Sequence, residues 1–173
     1  MKEPFGGSVV IGLATFRAVT DPVVNYVGGP VVGFAKKADM ESIMDDLNRK
    51  EIKSLFKKVL SFAWGFKELK EAPGYYELYA LKASKDGKAA LNGEVVTDAR
   101  QEFGQTSATA EVTMAMNNSG STQWARITKE NINRAIAIVL DGAVYSAPNV
   151  NDEIKGGRSQ ITGNFTLEEA TDL

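Results

Sequence analysis

Five acidic residues stand where the chain turns polar, Asp98, Glu102, Asp141, Asp152 and Glu153. Paired carboxylates can carry hydrolysis when their surroundings keep one protonated and the other ionised. Most other catalytic sets are missing. The chain has no His and no Cys, which removes Ser-His-Asp and Cys-His nucleophiles, thiolate chemistry and zinc sites of the usual Cys/His kind. Each acid also has a plainer role. Asp141 is what a tight turn with Gly142 requires, Asp152-Glu153 lies in a polar loop, and Asp98 and Glu102 sit four apart on a strand, sharing a face that can be solvated. An acid-pair hydrolase therefore stays as an alternative reading.

Backbone N–H groups in glycine-rich loops can cradle phosphate. Gly28-Gly29-Pro30 lacks a following Lys-Ser/Thr, and Gly156-Gly157-Arg158 leads into a strand instead of a helix N-terminus. Asn149, Asn151, Asp152 and Glu153 share the composition of a calcium loop without its spacing. No cofactor or metal is expected. The apolar residues Tyr145, Val150, Ile154 and Phe165 flank turns, where side chains are often half exposed. They either close the core or offer an apolar surface to another chain.

The elements that place these residues follow from periodicity. Residues 5–35 alternate apolar runs with Gly6-Gly7, Asp21-Pro22 and Gly28-Gly29-Pro30, reading as two short strands or extended segments. From Asp39, placed to cap, Met40, Ile43, Met44 and Leu47 fall at helical spacing, and Ile52, Leu55, Phe56 and Val59 continue it after a polar break, as one bent helix or two short ones. Leu60–Leu69 and Tyr75–Ala83 form a hairpin about Glu71-Ala72-Pro73-Gly74, and Lys85–Lys88 is a loop. Gly93–Phe103 reads as a strand, 104–109 as a loop and Glu111–Asn117 as a half-buried strand. Ser119 or a neighbouring Asn then caps a helix through Trp124 and Ile127. Ala135–Leu140 is the most buried-looking stretch, with Asp141-Gly142 as a type I′ turn into Ala143–Ser146 and Pro148 ending the pairing. Gly156-Gly157 turns into a last strand, Arg158–Thr162.

This order predicts an α+β fold of largely antiparallel, hairpin-linked strands with helices packed on the sheet. Residues 1–29 are an N-terminal extended segment, 30–90 a helix-plus-hairpin region and 91–173 a second α+β unit. The 173 residues carry 20 basic and 22 acidic groups, net −2, and neither half is basic enough to attract nucleic acid. The apolar runs are shorter than the roughly 20 residues that span a bilayer. Thr166-Leu167-Glu168-Glu169 is a capping box whose helix is only begun by Leu173, so the chain is expected to be a piece of a longer protein.

The stretch Asp141–Val150, with Ile154, Gly156-Gly157-Arg158-Ser159, Ile161-Thr162-Gly163, Phe165-Thr166 and Glu169-Ala170, resembles the first periplasmic (P1) domain of SecD, mainly its head subdomain. Gly93–Arg100, Val112–Asn117 and Trp124–Asn131 extend the likeness, which runs from about residue 91 to the end. Residues 30–83 more loosely resemble the insert of some fused SecD-SecF proteins. The resemblance implies an accessory subunit of the bacterial Sec translocon at the periplasmic face of the inner membrane. Its periplasmic domain would hold or release an unfolded preprotein during export driven by the proton-motive force. Implied partners are the preprotein and, through the parent protein, the SecF part and the SecYEG translocon. Membrane contact and the proton-coupling residues would lie in transmembrane helices outside this sequence. The domain itself is expected to be a monomer without catalysis, and a purely structural spacer is a third reading.

Overall fold

The computed structural model describes residues 8–11, 30–55, 60–82, 89–103 and 110–165. Its strands are β1 (Ser8–Ile11), β2 (Val31–Lys36), β3 (Leu60–Leu69), β4 (Ala72–Lys82), β5 (Leu91–Asn92), β6 (Val96–Phe103), β7 (Ala110–Met116), β8 (Ile136–Leu140), β9 (Ala143–Ser146) and β10 (Arg158–Phe165). The helices are α1 (Met40–Asn48), α2 (Lys50–Leu55) and α3 (Asn118–Glu130). The fold is α+β and mostly antiparallel.

Seven strands pair in the order β2-β4-β3-β9-β8-β1-β5, and three more in the order β10-β7-β6. The β3–β9 pairing is parallel, through Gly65 and Val144, and the others are antiparallel. Ile11 also pairs with Lys82, joining β1 to β4. The strands β4, β3, β9, β8 and β1 thus form a closed circuit of neighbours. A buried cluster of Ala63, Leu81, Ala137, Val139 and Val144 comes from alternate positions on four of these strands, which is the pattern of a ring's inner face.

The opposite face of β8 is buried as well. Ile138 joins Val112 and Met114 of the three-stranded sheet, and Ile136 joins Leu91, Trp124, Ile127 and Val150 under α3. A strand covered on both sides reads as a continuous apolar run, as Ile136–Leu140 does. Asp141 and Gly142, with φ of 49° and 80°, make the two left-handed residues of the expected type I′ turn. Gly156 and Gly157, with φ of 86° and 67°, turn the chain into β10.

Several boundaries differ from the sequence reading for local reasons. Asp39 precedes α1 but ends a 3₁₀ turn, Lys37–Asp39, so its backbone is already helical and its side chain makes no cap bond. The helical stretch, by contrast, takes one of its two expected forms, two short helices parted at Arg49. The β3–β4 hairpin reverses at Lys70-Glu71, with Leu69 opposite Ala72. Gly74, inside β4, donates its N–H to the Glu68 carboxylate at 2.7 Å. Gly93–Val95 is a 3₁₀ turn that delays β6 to Val96. As expected of a neighbouring Asn, Asn117 caps α3, its side chain accepting the Gly120 N–H at 2.8 Å. Pro148 does not end the association of the β8 and β9 regions, because its carbonyl accepts the Ile136 N–H and the Val150 N–H reaches Arg134 O. The short strand at Ser8–Ile11 is inserted between β8 and β5, so the seven-stranded sheet includes strands from all three expected regions. The loops at 85–88 and 104–109 and the helix from Thr166 lie outside the described residues.

Candidate functional site

Along β3 the aromatic residues Phe62, Trp64 and Phe66 alternate with Ala63 and Gly65, so they share the face turned away from the ring's interior. α1 lies against β3. The parallel pairing of Gly65 with Val144 sets the next residues of β3 and β9 beside each other. Phe66 and Tyr145 stack there, ring centroids 4.1 Å apart and planes 12° from parallel. Tyr145 is half-buried against the Val112, Met114 and Ile138 cluster, whereas Phe66 stays 44% exposed. An exposed ring held flat by a second ring is a preorganised apolar platform. Two residues back, the Trp64 Nε1–H is buried with no hydrogen-bond partner among the described residues.

The residues expected to contact a partner divide. Tyr145 is in the stack. Ile154 is half-buried at the edge of the cluster beneath α3. Val150 is 7% exposed and belongs to that cluster's core, so it offers no surface. Phe165 pairs with Ala110 across β10 and β7, and its side chain lies outside the described part of the molecule.

The acids are dispersed over three places. Asp98 and Glu102 are on β6, and Asp98 is exposed and bound to Arg100 at 2.8 Å. Asp141 is at the exposed β8–β9 tip. Asp152 is exposed before β10, while Glu153 reaches Lys155 at 3.5 Å. Among the described residues no group of three or more acidic side chains is placed to hold a metal ion. The one strongly perturbed group is Tyr79 of β4, among the described residues. Its burial, and then the Glu77 carboxylate that accepts its hydroxyl hydrogen, push the phenol well above its ordinary pKa.

Sequence reasoning missed Phe66, although three aromatic residues at alternate positions of β3 were a signal for a shared face. It also missed Thr128 and Ser159, buried polar residues that α3 uses as anchors.

Residues 68–173 match the family described as SecDF, P1 head subdomain. The chain belongs to this family. The matched stretch contains Tyr145 and Ile154, and Phe66 stands two residues before it. A protein translocase subunit SecD from Rhodothermus marinus is 48% identical over 101 residues, 58% of this chain and 15% of that protein. Another, from Rickettsia conorii, is 46% identical over 86 residues, 50% of this chain and 16% of that protein. The chain therefore spans about one sixth of the length of these curated relatives. A crystal structure of SecDF in its super-membrane-facing form shares the fold, with a TM-score of 0.51 and 24% identity over 96% of this chain and 17% of that one.

Proposed function

We propose that this P1 domain, on the periplasmic side of the bacterial inner membrane, binds segments of unfolded preprotein during export and acts without catalysis. The observation that carries the reading is the Phe66–Tyr145 stack, an exposed aromatic surface fixed to the strand framework. An unfolded chain exposes apolar side chains and unpaired backbone, and such a platform engages the first without selecting a sequence. Ile154, half-buried at the edge of the separate cluster beneath α3, and Phe165 are proposed as further apolar contacts. Through the rest of the parent protein the domain would work beside the SecF part and the SecYEG translocon. A grip too tight would stall transport, so dissociation constants of about micromolar or weaker are expected.

The test is an NMR titration of the domain with an unfolded, export-competent polypeptide. Shifts are expected to gather at Phe66, Tyr145 and the neighbouring indole N–H of Trp64, while the Trp124 indole stays still. No clustered shifts at millimolar polypeptide would replace this reading with that of a structural spacer.

A further inference from the structure

Thr128 is fully buried, and its hydroxyl is used in both directions. Oγ1 donates to the Trp124 carbonyl at 2.8 Å, with the Ala125 carbonyl at 3.2 Å, and accepts the Ile154 N–H at 2.9 Å. One helical turn earlier, the Trp124 Nε1–H donates to Ser159 Oγ at 3.2 Å, a bond between two buried side chains. Between these anchors the Gly157 carbonyl accepts the Met116 N–H at 2.8 Å. Gly157 also lies so close to Ser121 that an added Cβ would come within 2.8 Å of the Ser121 Cβ. Residues 154, 157 and 159 are thus each fixed to α3 or to the strand end that feeds it. Ordinary surface loops, by contrast, open on their own at little cost.

We infer that Trp124 and Thr128 clamp residues 154–159 as a strap that opens only together with α3, making helix, strap and the start of β10 one moving unit. The strap ties α3 to β10 at residues 154, 157 and 159, so a displacement of the helix is carried into an edge strand of the three-stranded sheet. Ile154 is the first residue of that strap and moves with it. The inference stands on the hydrogen bonds and is independent of preprotein binding.

Amide hydrogen exchange on the whole 173-residue chain tests it. In the wild-type protein the Ile154 amide is expected to show the same opening equilibrium, and the same denaturant dependence, as the amides of Trp124, Ile127 and Thr128. Thr128→Val keeps the shape and removes the acceptor, so Ile154 exchange should rise about 10-fold or more relative to the β6–β7 ladder. Thr128→Ser should restore protection. An Ile154 amide that exchanges at loop-like rates while the α3 amides stay slow would overturn the clamp, as would unchanged protection in a folded Thr128→Val. The wild-type comparison decides the matter even if that variant does not fold.

Discussion

The ring of β4, β3, β9, β8 and β1 encloses Ala63, Leu81, Ala137, Val139 and Val144, all apolar. The seam beneath α3 combines Leu91, Ile136 and Val150 with two buried hydroxyls, those of Thr128 and Ser159. Dispersion and burial are non-directional, so the ring interior is specified by volume and by strand alternation. Hydrogen bonds are directional, so the seam is specified by geometry, and a buried donor left without its partner is costly. The difference separates the part of the molecule that must be filled from the part that must be aligned. Between them lies β8, with one face on each.

The comparison breaks most readily at Leu81, 2% exposed inside the ring. Leu81→Ala should cost about 2 to 5 kcal/mol in chemical denaturation, the range for a cavity that its neighbours cannot refill. A loss below ~1 kcal/mol would mean that the ring interior collapses freely and is not volume-limited.

The two left-handed turns sharpen the contrast, because one serves each region. Gly142, at φ 80°, has open space where a Cβ would go, whereas Gly157, at φ 67°, faces Ser121 and Met116. Backbone strain alone should make Gly142→Ala cost about 1 to 2 kcal/mol. Gly157→Ala adds steric conflict and should cost about 2 to 4 kcal/mol. Equal losses by thermal denaturation would show that α3 yields at this point and does not fix the strap.

A smaller effect should appear in alkali. The folded protein holds the Tyr79 phenol above its ordinary value, so the neutral form is favoured in the fold. That contribution is complete below the unfolded pKa, about 10, and is lost as pH rises beyond it. Tyr79→Phe cannot ionise, so its melting temperature should fall less steeply than the wild type's above about pH 10. Parallel slopes would mean that Tyr79 ionises equally well in both states.

Local chemistry was legible in the sequence, and long-range pairing was not. Ile136–Leu140, its Asp141-Gly142 turn and the Gly156-Gly157 turn follow from apolar continuity and from the need for positive φ. The capping of α3 by Asn117, instead of Ser119, was within the expected range of neighbouring residues. By contrast, nothing near Ser8–Ile11 indicates that it pairs with β8, more than a hundred residues away, because an apolar strand carries no record of its neighbour. The same holds for the platform. Phe66 and Tyr145 become adjacent through one parallel pair, and a parallel pairing between distant hairpins leaves no turn signature to read. The motif from Asp141 to Ala170, with the stretches between Gly93 and Asn131, carried the family likeness, while the proposed contact surface depends on a residue outside it.

The central claim is that the Phe66–Tyr145 platform meets the exported chain. The most direct test places a photo-crosslinking amino acid at position 66, and separately at Thr122 on the exposed side of α3, in the full-length parent protein with a stalled preprotein. The account predicts preprotein adducts from position 66 and few or none from 122. Adducts of equal yield at both positions, or none at 66, would contradict it.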